Sequence, residues 1–217
     1  MKKGLTELVF ILDKSGSMGG LESDTIGGYN AMLEKQKAVD GECLITTVLF
    51  DNSYEILHDR IDIRAVRPLT EEEYQVGGTT ALLDAIGRTI HKISNAQRHT
   101  AEEYRAEKVL FVIITDGLEN SSREYSPEKV RAMIERQKAE YCWEFIFLGA
   151  NIDSVETAGR FGISASRAQN YHADRNGVKL NFKVMSDVVT AYRNCSIIPE
   201  DWNEKIENDY RRRKNQR

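Results

Sequence analysis

Two uncharged, β-rich runs each end in an aspartate. Leu8-Val9-Phe10-Ile11-Leu12 closes on Asp13, and Val109-Leu110-Phe111-Val112-Ile113-Ile114-Thr115 closes on Asp116-Gly117. A strand with one face in water alternates apolar and polar residues, whereas an unbroken apolar run reads as a strand covered on both faces. Covering both faces takes two layers of helix, so the chain is expected to be α/β with a mostly parallel sheet. In open sheets of that kind the ligand crevice lies at the carboxyl ends of the strands, which is where both aspartates fall.

The segments between these runs supply the helices. Ser23-Asp24 reads as a cap before Ile26, Tyr29, Met32 and Leu33, a pattern that runs to about Val39. Leu82, Ile86, Ile90 and Ile93 mark an amphipathic helix, and Ser126-Pro127 opens another through Val130, Met133, Ile134 and Gln137. Ile152 to Phe161 reads as a short helix stopped by Gly162, and Val178, Phe182, Met185, Val189 and Tyr192 space out a last one. Leu44 to Phe50 and Tyr54 to His58, joined by Asp51-Asn52-Ser53, form a hairpin that puts one antiparallel strand at an edge. Trp143 to Leu148 is a further buried strand and Ala168 to His172 the other edge. Residues 60 to 78 form a long connection holding one helical turn at Thr70-Glu71-Glu72-Glu73. The reading is a three-layer α/β/α, Rossmann-like fold with right-handed crossovers.

The chemistry clusters after the first run. Asp13, Ser15 and Ser17 put one carboxylate and two hydroxyls at a strand end, and Gly77-Gly78-Thr79-Thr80 adds hydroxyls just before a helix. Oxygen-only ligands suit a hard cation such as Mg²⁺, which prefers octahedral geometry at roughly 2.0–2.1 Å. Zinc favours His or Cys, and neither stands near these positions. Asp-x-Ser-x-Ser, Gly-Gly-Thr and Thr-Asp-Gly, in that order, resemble the metal-ion-dependent adhesion site of the von Willebrand factor A-type (VWA) domain, in its bacterial intracellular form. The resemblance covers roughly residues 5 to 195 and implies a six-stranded sheet with one antiparallel edge. It implies Asp13, Ser15, Ser17, Thr79 and Asp116 as the groups that hold Mg²⁺ or Mn²⁺, with Thr80 a substitute for Thr79. Asp84 and Glu119 lie close enough in sequence to support the site from behind. It implies further that an Asp or Glu of a partner protein completes the metal's coordination, because neutral hydroxyls leave much of the cation's charge uncompensated.

Composition narrows the alternatives. With 217 residues and 41% hydrophobic content the chain makes one full core, assigned to residues 1–197. A formal net charge of −4 gives no general attraction to nucleic acid or to an anionic membrane. No apolar stretch reaches a membrane span, and the basic start Met1-Lys2-Lys3 lacks a signal peptide's apolar length and cleavage pattern, so a cytoplasmic protein is expected. Cys43, Cys142 and Cys195 have no metal or disulfide spacing and read as buried reduced thiols. No Walker A or Gly-x-Gly-x-x-Gly pattern follows a strand, and His58, His91, His99 and His172 form no metal pair, so no small-molecule substrate is expected. An aspartate-based, Mg²⁺-dependent phosphohydrolase using Asp13 is the alternative to a binding module. That chemistry wants an acid two positions on, where Ser15 stands. Residues 198–217 carry Glu200, Asp201, Glu204 and Glu207 beside Arg211-Arg212-Arg213-Lys214 and read as a charged, partly disordered tail, or else an arm for phosphate or a partner.

Overall fold

Side chains of β1 (Lys2–Asp13) point alternately into two separate cores, which is why the run from Leu8 to Leu12 is apolar without a break. Leu8, Phe10 and Leu12 face one core, and Val9 and Ile11 the other. The computed structural model describes residues 1–214. The chain continues through α1 (Glu22–Lys37), β2 (Cys43–Phe50), β3 (Tyr54–Asp62), α2 (Leu82–His99), β4 (Ala106–Thr115) and α3 (Pro127–Tyr141). It ends with β5 (Glu144–Ala150), α4 (Ser154–Arg160), β6 (Ala168–Tyr171), α5 (Arg175–Cys195) and α6 (Glu204–Lys214).

The six strands lie in the order β3-β2-β1-β4-β5-β6, parallel except for the β2–β3 hairpin at one edge. Helices α1, α5 and α6 contribute to the core on one face, and α2, α3 and α4 to the core on the other. The expected architecture is therefore the one observed. Because β1 is followed in space by β2 on one side and β4 on the other, the chain reverses its direction of winding between β1 and β4. That switch point opens a crevice at their carboxyl ends, where Asp13 and Asp116 meet.

On the first face the α1–α5 contact is close because residue 28 is glycine: a Cβ there would lie 2.5 Å from the Phe182 ring. Tyr29 stands edge-on to Phe10 (5.6 Å) and to Phe182 (6.2 Å), tying β1, α1 and α5 together.

Three expectations change. Helix α1 starts at Glu22 rather than at a Ser23-Asp24 cap, because Asp24 turns to α5 and pairs with Arg175 (3.2 Å) and Lys179 (3.6 Å). Of the three free cysteines only Cys43 is buried; Cys142 and Cys195 end helices and are exposed. The segment read as a tail is folded up to residue 214: Ile198, Trp202 and Ile206 are buried, and α6 packs on β6 and α5. Residues 215–217 of that expectation lie outside the described residues. Charge composition alone hid this, because two apolar side chains in the segment before the helix, Ile198 and Trp202, and one in its first turn, Ile206, suffice to anchor an otherwise polar stretch.

Candidate metal centre

Asp13 is the last residue of β1 and is almost wholly buried. Its Oδ1 accepts the Ser15 N–H (2.7 Å), and its Oδ2 accepts the Thr115 hydroxyl at the end of β4 (2.5 Å). The chain then makes a 3-10 turn over Gly16–Met18, which brings the Ser15 and Ser17 hydroxyls within 3.1 Å of each other. Ser17 Oγ donates to Asp116 Oδ1 (2.5 Å). Asp116 Oδ2 is buried without any hydrogen-bond partner among the described residues.

The third loop is stitched to the first by two backbone bonds, Gly16 N–H to Gly78 C=O (3.1 Å) and Gly77 N–H to Lys14 C=O (2.9 Å). Gly78 takes φ +70°, and a Cβ there would sit 2.0 Å from Asn52 Oδ1, so only glycine fits. This turn decides which threonine faces the cup. Thr79 points outward, exposed, with its N–H 3.4 Å from Asn52 Oδ1. Thr80 is buried, its backbone doubly bonded to Asn120 (2.9 and 3.1 Å). A Cβ on Gly117 would meet Ser17 Oγ at 3.2 Å and Thr80 Oγ1 at 3.5 Å, so the hydroxyl beside Ser17 and Asp116 is that of Thr80. Of the two threonines expected as alternatives, it is Thr80 rather than Thr79 whose hydroxyl stands there. Counting from the glycine pair missed the turn that Gly78 introduces.

Asp84 and Glu119 serve the loop after Asp116. Asp84, in the first turn of α2, accepts the N–H groups of Arg123, Glu124 and Tyr125 at 2.9–3.0 Å. Burial pushes its carboxyl up, but these three donors outweigh it and hold the pKa below the ordinary value. Glu119 accepts from the N–H groups of Leu83, Ser121 and Ser122 and from the Ser122 hydroxyl, at 2.7–2.9 Å. Together they sew residues 117–125 to the start of α2, which fixes the rim of the cup.

Several supports have no local signature. Tyr74 Oη donates to the Asp13 carbonyl, Tyr171 Oη to the Thr115 carbonyl (3.2 Å) and Asn151 Nδ2 to the Asp116 carbonyl (3.2 Å). Only Thr115 could have been found in advance, since it belongs to the Thr-Asp-Gly motif.

Burial raises the pKa of Asp13 and pushes Asp116 up to about 6, the neighbouring Asp13 charge adding to the latter. Two buried carboxylates side by side, one with an orphaned oxygen, fit a cation better than they fit each other. The donor set gathered here is two carboxylates and three hydroxyls, and no group of three or more His, Cys, Asp or Glu able to hold a metal exists among the described residues.

No protein-family profile matches the chain, and no curated protein matches it in sequence. Its fold is similar to that of a von Willebrand factor type A protein from Catenulispora acidiphila, at 12% identity and a TM-score of 0.56, over 86% of this chain and 42% of that one. A mutant of the PilB minor pilin from Streptococcus sanguinis matches at 11% identity and 0.61, over 88% and 63%. Proximal thread matrix protein 1 from the mussel byssus, solved with a zinc-occupied MIDAS motif, matches at 16% and 0.56, over 87% and 46%. The chain thus spans between 42% and 63% of the length of these structures. At such identities the likeness establishes the VWA-type fold.

Proposed function

We propose that the chain is a non-catalytic, divalent-metal-dependent protein-binding module. Asp13, Ser15, Ser17, Thr80 and Asp116 hold Mg²⁺ or Mn²⁺, and a partner's Asp or Glu completes the site. The observation that carries this reading is the buried, unpartnered Oδ2 of Asp116 beside three hydroxyls. A native interior rarely leaves a carboxylate oxygen unsatisfied, because desolvating it costs several kcal/mol. When bound, the cation supplies a Lewis-acid position able to accept one further anionic oxygen. The protein's part is placement: Thr115 and the Ser15 N–H orient Asp13, Ser17 orients Asp116, and Asn120 fixes Thr80. A binding role is favoured over hydrolysis because Ser15, two positions after Asp13, is bonded to Ser17 and cannot act as the acid a phosphohydrolase needs there.

The test is calorimetry of the chelator-treated protein with Mn²⁺, Mg²⁺ and Zn²⁺, the last included because the mussel protein's motif was solved with zinc. Wild type is expected to bind Mn²⁺ or Mg²⁺ at one site, and the Asp13→Ala, Asp116→Ala double variant to bind neither. Equal heats from both proteins would overturn the assignment.

A further inference from the structure

Helix α6 runs alongside the edge strand β6 in the same direction, and its contacts advance in step with the strand. Trp202 Nε1 donates to the Ser166 carbonyl (2.8 Å), and Asn203 and Glu207 bracket the Gln169 amide (2.8 and 2.7 Å). Further on, His172 Nε2 donates to the Tyr210 carbonyl (3.1 Å), and Arg213 pairs with Asp174. A helix so placed covers the open strand edge, and it also carries its last turn past the strand's carboxyl end, the end of the sheet at which the cup lies.

There it closes a cavity of about 240 Å³, walled by Asn151, His172, Asp174, Tyr210 and Lys214. The wall is built rather than incidental. The His172 and Tyr210 rings stack at 4.7 Å, and Lys214 Nζ lies 5.9 Å from the Tyr210 centroid. The cavity adjoins the metal centre through two of its lining side chains: Asn151, held in the left-handed region at φ +56°, donates to the Asp116 carbonyl, and Tyr171 donates to the Thr115 carbonyl. Both oxygens of Asp174 are already engaged, by the Gly177 N–H (2.9 Å) and by Arg213, so the charge in the wall without an ion-pair partner among the described residues is the Lys214 ammonium.

We infer that this cavity receives a second acidic side chain of the same partner that supplies a carboxylate to the cup. The inference rests on the metal-binding reading and adds a specificity determinant to it: the partner segment carries two Asp or Glu residues at a fixed spacing, and Lys214 reads the second. A charge-assisted contact of this kind corresponds to about a tenfold gain in affinity.

The experiment is selection from a displayed library of random peptides containing one fixed Asp, on the full chain, in Mg²⁺ and in chelator. Wild type is expected to enrich a second Asp or Glu at one spacing about tenfold over Asn or Gln. Lys214→Glu, at an exposed position that leaves the fold intact, is expected to replace that preference by Lys or Arg at the same spacing. Magnesium-dependent peptides with no second acidic position, or an unchanged preference in Lys214→Glu, would overturn the inference and leave the metal reading standing. Peptides equally retained in chelator would remove both.

Discussion

Strand β1 buries two carboxylates, one midway along it and one at its carboxyl end, and the two are treated in opposite ways. Glu7, midway along, has no exposed surface, yet every oxygen is answered from within the chain: Oε1 by Arg60 Nε and Oε2 by Gln97 Nε2, each at 2.7 Å. Gln97 in turn accepts the Ala106 N–H (3.2 Å), and the Arg60 backbone, at φ +50° where the β2–β3 register shifts, donates to Thr46 Oγ1 (3.2 Å). At the carboxyl end, Asp13 and Asp116 are oriented by hydroxyls, but no cationic side chain answers them, and one Asp116 oxygen has no partner among the described residues. A buried charge with an internal counter-charge is architecture. A buried charge supported on all sides but one leaves an oxygen to be answered, which is what the proposed metal would do.

The largest effect expected from this contrast is on stability. Glu7→Ala strands the Arg60 guanidinium in a partly buried position and is expected to cost about 3 kcal/mol, read as a lower urea midpoint, while Mn²⁺ binding per folded molecule is unchanged. Asp116→Ala in chelator is expected to stay within about 1 kcal/mol of wild type, because it removes a group whose ionised form burial disfavours. If Asp116→Ala unfolded the protein and Glu7→Ala did not, the roles assigned to the two regions would be reversed.

A smaller effect separates two neighbouring threonines. Thr80→Ala is expected to weaken Mn²⁺ binding about tenfold, the worth of one ligand to a charged centre; Thr79→Ala, at an exposed position, is expected to leave it unchanged. Equal losses in both variants would show that the loop is free to present either hydroxyl.

The smallest effect is a slope. Burial raises the Glu7 pKa above its ordinary 4.5, although Arg60 pulls the other way. Between the unfolded and the folded values, the folded state therefore holds a proton that the unfolded chain has released. The stability from this group is fully present below the unfolded value and is lost as pH rises through the raised folded one. Urea titrations between pH 4 and 7 should show the stability of wild type relative to Glu7→Gln falling with pH. A difference that does not change with pH would mean that the Arg60 pair cancels the desolvation of Glu7.

Local pattern was enough for whatever the chain encodes within a few residues. Unbroken apolar runs marked β1 and β4, three-to-four spacing marked α2 and α5, and the hairpin residues placed β3 at an edge, because burial on one or two faces imposes its own period on a sequence. The two aspartates and two serines of the cup were legible for the same reason: they sit on one strand end and one tight turn, or directly follow another strand. What the sequence left open depends on contacts between residues far apart. The choice of Thr80 over Thr79 follows from a Gly78 turn packed against Asn52, and the satisfaction of Glu7 needs partners 53 and 90 residues away. The C-terminal segment, polar enough to read as a loose tail, became a helix laid along β6 because Trp202 and Ile206 found a core to enter. Periodicity is written in the neighbours of each residue, whereas a partner across the fold is selected only when the elements dock and every buried polar group must be answered by whatever the packing brings to it.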